Sequence, residues 1–218
     1  SFQAQQKLKA ILLTHYHYDH IRDIPALGMN LLLHYATINI YATQSVYDAL
    51  TTHLLNNELY PNFLKRPEQN PTIKFTIIQP YRIEHIEGYS ILATEVNHSV
   101  PTIAYQVTSP EGKTMFYTAD TGPGLANCWK YVSPQLLIIE VTASNRYEEF
   151  AKQSGHLTPN LLKQELITFR ELKGYLPQVV TVHMSPNVEK EIEGEIAIVA
   201  KELNNSIILA HEGMQLQL

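Results

Sequence analysis

Short runs rich in Ile, Val, Leu and Tyr alternate along the chain with longer stretches of helical period. Runs at residues 10–14, 38–42, 73–78, 89–96, 103–108, 114–118, 136–141, 179–183 and 207–210 predict strands. Residues 214–218 are expected to add a last edge strand. Helices are predicted over 23–34, 44–58, 125–131, 159–173 and 188–203. The fourth is punctuated at both ends: Thr158 caps it, Pro159 suits its first turn, and Gly174 follows its last residue. The fifth sets Val188, Ile192, Ile196, Val199 and Leu203 on one face, the pattern of a helix lying on a sheet. Strands and helices mixed in this order indicate an α/β or α+β architecture. No Gly/Ser-rich or Pro-rich linker divides the chain, so residues 1–218 are expected to form a single domain.

Composition narrows the class. With 218 residues, 44% hydrophobic and 17% charged, the chain is long and apolar enough for a sizeable core. No apolar run approaches the ~20 residues of a membrane-spanning helix, and SFQAQQKLK has neither a signal peptide's apolar segment nor its cleavage site. A soluble, cytoplasmic protein with no membrane partner is expected. The single Cys128 can form neither an internal disulfide nor a thiolate zinc site, so any metal must be held by nitrogen and oxygen. A net charge of -5 supplies no general attraction for a nucleic acid backbone.

Ten histidines stand out, and four candidate ligands fall within six positions. The segment ILLTHYHYDHI begins as a buried strand and ends in His15, His17, Asp19 and His20. Packing imidazoles and a carboxylate together costs several kcal/mol unless they are solvated or coordinated, and a divalent cation turns such a cluster into a ligand set. Further candidates follow strands: His98 after the run ending at Val96, Asp120 after FYTA, and His183 after VVTV. The C-terminal edge of strands is where α/β folds assemble their sites.

The count suits two metals. His15, His17 and His98 suffice for one tetrahedral centre, leaving Asp19, His20 and His183 for a second, with Asp120 able to bridge. Each centre then keeps an open position, as catalytic rather than structural sites do. Imidazole and carboxylate ligands suit zinc, the first choice, or manganese or iron.

HxHxDH after a strand, followed in order by a His, an Asp and a His, resembles the metallo-β-lactamase-fold hydrolases over essentially the whole chain. The resemblance implies a four-layer αββα sandwich of two mixed β-sheets with a dinuclear site on one edge. Family members carry further strands and a Gly-rich loop before the motif, so this chain is expected to lack the N-terminal strands. NHSVPTIAYQV and FYTADTGPG look like the phosphodiesterase branch, which includes tRNA 3′ endonucleases and class II cyclic-nucleotide phosphodiesterases. LLIIEVTAS and SGHLTPNLLKQEL are more similar to the cyclic-nucleotide enzymes, and ELYPNF faintly so.

That resemblance implies a hydrolase in which two cations share a water, with Asp120 holding the pair and Asp19 a second-metal ligand rather than a general base. His156 is then expected to protonate the leaving group, a task that suits an imidazole with an ordinary pKa of about 6.5. Glu140 and Thr142 are open between supporting the metals and merely ending a strand. Tyr16 and Tyr18 are expected to pack around the site. His34 and His53 are read as helical, His85 as part of a polar turn, and His211 as structural. The implied substrate is a cyclic nucleotide or similar small phosphodiester, and the resemblance also suggests a homodimer. A tRNA 3′-processing endonuclease is the first alternative, with RNA as partner. It is demoted because no Gly- and Lys-rich arm interrupts the chain, and residues 58–71 carry only Lys65 and Arg66 as basic groups. A thioester or lactone hydrolase and a non-catalytic metal-binding module are the others.

Overall fold

The computed structural model describes residues 2–218. The described residues fold as two compact units, one of residues 2–79 with 84–87, the other of residues 80–83 with 88–218. The architecture is α/β with two sheets, one of three parallel strands and one of seven mixed strands.

The first unit opens with a short helix α1 (Phe2–Gln5), then β1 (Ala10–Leu12), α2 (Tyr18–Ile21) and α3 (Ile24–Leu32). β2 (Ile38–Ala42), α4 (Gln44–Ala49), a π-helical turn (Leu50–Leu54) and β3 (Ile73–Ile77) follow. β2 pairs in parallel with both neighbours, Ala10 opposite Asn39 and Ile38 opposite Ile73. Its alternating buried positions Ile38, Ile40 and Ala42 meet Leu31, Val46, Leu50 and Phe63 in one apolar cluster. Gly28 makes room there: a Cβ at 28 would stand 2.5 Å from the Phe63 ring. The helix expected over 44–58 is therefore shorter than the sequence suggested. It widens to π geometry at Leu50 and ends at Leu54, a form that apolar periodicity cannot distinguish from α.

In the seven-stranded sheet, β4 (Ile83–Ile86) is the edge and contains His85, which the sequence placed in a turn. The strand is only four residues long, and IEHIEG reads as polar. β5 (Tyr89–Val96) and β6 (Thr102–Thr108) form a seven-pair antiparallel ladder. β6 runs antiparallel to β7 (Thr114–Tyr117), while β7, β8 (Leu136–Glu140), β9 (Gln178–Val182) and β10 (Ile207–Leu209) are mutually parallel. Two reversals make β5 parallel to β7, so β5, β7, β8 and β9 all end at one edge. Residues 214–218 form no strand and are irregular, overturning the expected edge strand.

Helices α5 (Ala126–Tyr131), α6 (Glu148–Ser154), α7 (Pro159–Lys173) and α8 (Glu189–Leu203) complete this unit, with a 3-10 turn (Asn145–Tyr147) before α6. Thr158 caps α7 by accepting from the Leu161 amide, Pro159 occupies its first turn, and Gly174 closes it at φ 79°. Val188, Ile192, Ile196, Val199 and Leu203 are all buried in the core. Edge-to-face contacts run from Phe116 to Trp129 and from Trp129 to Phe169. Glu165, a carboxylate buried on α7, accepts from the Gly124 amide at 2.7 Å, the Leu125 amide at 3.1 Å and Trp129 Nε1 at 3.2 Å. It anchors the turn that enters α5, a role no sequence pattern announced. Cys128 is free and buried beside Thr94, and burial pushes its thiol up to about 12.

Candidate metal centre

In the first unit the chain leaves β1 in extended form and turns into α2 at His17, whose φ of -60° and ψ of 143° are those of a helix entry. This crowds the HxHxDH side chains. The His15 ring centroid lies 4.9 Å from that of His17 and 4.1 Å from that of His20, and Asp19 Oδ2 lies 3.3 Å from His20 Nε2. His15 is fully buried, with Nδ1 3.0 Å from Thr14 Oγ1. A solvated polar loop would not bury an imidazole, so the chemical reading of this density gains support. Tyr16 packs against the apolar cluster, whereas Tyr18 is 66% exposed, turned outward by α2.

In the second unit His98, Asp120, Glu140 and His183 each follow or end β5, β7, β8 and β9, at the shared edge. Two of these turns use backbone that non-glycine residues seldom adopt: Ala119 has φ 57° and His183 φ 62°. Such conformations cluster where a side chain must be aimed.

Tautomers follow from hydrogen-bond partners. His98 Nδ1 lies 2.8 Å from the Gly155 carbonyl oxygen, which only accepts, so Nδ1 carries a proton and, in the neutral ring, Nε2 a lone pair. Thr142 Oγ1 donates to Glu140 Oε2 at 2.8 Å, leaving the hydroxyl oxygen to accept from His183 Nδ1, also at 2.8 Å. In the neutral ring His183 Nε2 therefore carries a lone pair as well. These two nitrogens face one carboxylate oxygen: Asp120 Oδ2 stands 3.9 Å from His98 Nε2 and 3.5 Å from His183 Nε2. With both rings neutral, three electron-pair donors converge here, those of His98 and Asp120 on buried side chains, and they repel one another unless a cation lies among them. Ligand imidazoles oriented by a bond from their other nitrogen are the usual form of a metal site. The donor set fits divalent metal.

Glu140 organises the edge. Its fully buried carboxylate accepts from the amides of Thr121, Thr142 and Leu157, from the Thr142 hydroxyl, and from His156 Nδ1 at 2.6 Å. The His156 ring stacks on that of His183 at 5.7 Å and meets that of His98 edge-on at 4.9 Å. Atoms of Glu140, His156 and His183 that could hold a metal lie within 4.8 Å of one another. Of the two readings open for Glu140 and Thr142, the hydrogen bonds favour the supporting one. His211 Nδ1 bonds locally, to the Glu212 carbonyl oxygen at 3.0 Å. Among the described residues no helix is long and apolar enough to cross a membrane.

Residues 2–184 match the family profile of the beta-lactamase superfamily domain. No curated protein matches the sequence. Among solved structures, unliganded yeast PDE1 has TM-score 0.85 at 18% identity, over 97% of this chain and 69% of its own. The metallo-beta-lactamase fold protein YhfI from Bacillus subtilis has TM-score 0.75 at 20% identity, over 96% and 78%. The short form of human tRNase Z has TM-score 0.67 at 22% identity, over 98% and 80%. At such identities the likeness is one of fold.

Proposed function

The chain belongs to the metallo-β-lactamase superfamily, a family of metal-dependent hydrolases, and on that premise we propose that it is a phosphodiesterase acting on a cyclic nucleotide or similar small phosphodiester. The observation that carries this reading is the pairing of a donor set, His98, Asp120 and His183, with an imidazole held by a buried carboxylate, His156 on Glu140. The two histidine-rich sets would hold two divalent cations, zinc first: His15, His17 and His98 for one, Asp19, His20 and His183 for the other, with Asp120 shared. When bound, such cations acidify a water and neutralise charge on phosphoryl oxygens.

The chain's own residues supply the rest. Glu140 fixes His156 through Nδ1, so that Nε2 presents the proton, and the carboxylate balances the positive charge of the protonated ring. His156 gives that proton to the departing oxygen, which a diester with a poor leaving group requires. Thr142 holds His183 in the tautomer whose Nε2 binds metal. Asp19 acts as a ligand, not as a base.

A phosphodiester substrate is also in keeping with the names of the yeast PDE1 and tRNase Z structures that share the fold. Comparing kcat/KM on a cyclic nucleotide, a precursor tRNA and a thioester tests the reading. The cyclic nucleotide is expected to dominate, and dominance of the thioester would overturn it.

A further inference from the structure

Beside Thr142 the second unit carries an open cleft of about 440 Å³. Its walls include Thr142, Tyr147, Phe150, Ser185, Asn187 and Val188. We propose that this cleft is the subsite for the heterocyclic base of a nucleotide substrate, with the base stacked on Tyr147 and Phe150 and its edge met by Asn187 and Ser185. The inference deepens the phosphodiesterase reading and rests on it.

The aromatic residues are the first argument. Phe150 is 68% exposed and Tyr147 42%, and neither belongs to the apolar core. They stand three residues apart, across the junction of the 3-10 turn and α6, so both reach one cleft. Leaving two large rings in water forgoes the stabilisation of burying them, which is expected where a flat ligand completes the contact. The Tyr147 ring is also held in advance: the Arg146 guanidinium lies 4.7 Å over its centroid, and Arg146 is itself paired with Glu191 at 2.9 Å. A ring ordered before binding loses less freedom when the ligand arrives.

The polarity of the walls points the same way. Among the described residues that line the cleft none is charged, so it suits an uncharged group and not a phosphate. The hydroxyl of Ser185 and the amide of Asn187 offer both donors and acceptors. A nucleobase is flat, neutral and edged with such groups, and a few hundred Å³ is the ordinary size of a small-molecule site. Location agrees. Thr142 lines the cleft and also bonds His183 Nδ1, so a base seated there lies next to the residues that would take the phosphate.

The test is calorimetric binding of adenosine 5′-monophosphate and of ribose 5-phosphate to the zinc-loaded protein, alongside turnover of bis(p-nitrophenyl) phosphate. The nucleotide is expected to bind at least about tenfold more tightly than the sugar phosphate, within the range that stacking on aromatic residues supplies. Tyr147→Ala with Phe150→Ala is expected to abolish that advantage. Tyr147→Leu with Phe150→Leu, which keeps apolar bulk, should also erode it, so a folding defect in the first variant does not decide the matter. Equal binding of the two probes, an advantage that survives in both variants, or its loss on Tyr18→Ala instead would overturn the subsite. Phosphodiester turnover without a base advantage refutes the subsite alone, whereas absence of turnover refutes the phosphodiesterase reading.

Discussion

His98 and Gly155 hold each other in place: the imidazole Nδ1 donates to the Gly155 carbonyl at 2.8 Å, and the backbone at 155 passes so close that a Cβ there would lie 2.9 Å from His98 Cα. Gly155 also has φ 74°, where a side chain is strained. One residue thus sets both the tautomer of a candidate ligand and the approach of the loop that carries His156.

Gly155→Ala is accordingly expected to destabilise the protein by about 2–4 kcal/mol, from left-handed strain plus a backbone clash. A urea melt measures this, and the same variant should retain less zinc after dialysis. An unchanged midpoint would mean that the loop yields without cost.

Thr142→Val keeps the shape of the side chain and removes the hydroxyl that joins Glu140 to His183. Zinc affinity is expected to fall about 10–100-fold, as for other partners of ligand imidazoles. Competition with a chromophoric chelator reads it, and Thr142→Ser should recover most of the loss. Equal affinity in Val and Thr forms would remove Thr142 from the metal site's support.

His156→Ala should lower kcat on a diester with a poor leaving group by about 10²–10⁴, the range of general acid catalysis, while zinc content stays that of the unaltered protein. The loss should be much smaller with a p-nitrophenolate leaving group, which departs without protonation. A uniform loss on both substrates would point instead to a binding role.

Cys128 offers a pH prediction independent of the site. Its thiol ionises at about 9 as the reference and is pushed up to about 12 by burial, and burial also raises the Tyr105 phenol. Below pH 9 the thiol is protonated in both folded and unfolded chains, so its favourable burial is fully retained. Above that the unfolded chain alone ionises, and stability falls by about 1.4 kcal/mol per pH unit for the thiol until the folded form ionises too. Urea melts from pH 8 to 11 test this, and Cys128→Ala should flatten part of the slope. The native thiol should also resist alkylation at pH 8 and react on unfolding.

Much of this was legible in the order of residues. Thr158, Pro159 and Gly174 mark a helix by purely local chemistry, and the structure starts and stops α7 at those positions. The density of His15, His17, Asp19 and His20, and the placing of His98, Asp120 and His183 after apolar runs, carried the family resemblance. The supporting contacts were not readable, because they join distant positions: His98 meets Gly155 across 57 residues, and Glu140 meets His156 across 16. A carboxylate ending a strand has the same pattern whether it closes a turn or holds five donors. Short elements also escaped, such as α6, where EEFAKQS gives too few turns to show a period, and Tyr18, whose outward direction follows from the single turn of α2.

The central claim is tested most directly by hydrolysis of bis(p-nitrophenyl) phosphate, measured side by side for the zinc-loaded protein and its Asp120→Ala variant. Turnover that disappears in the variant is the predicted result. Equal turnover in both proteins, or none in a chain that has bound two equivalents of zinc, would contradict a metal-dependent phosphodiesterase.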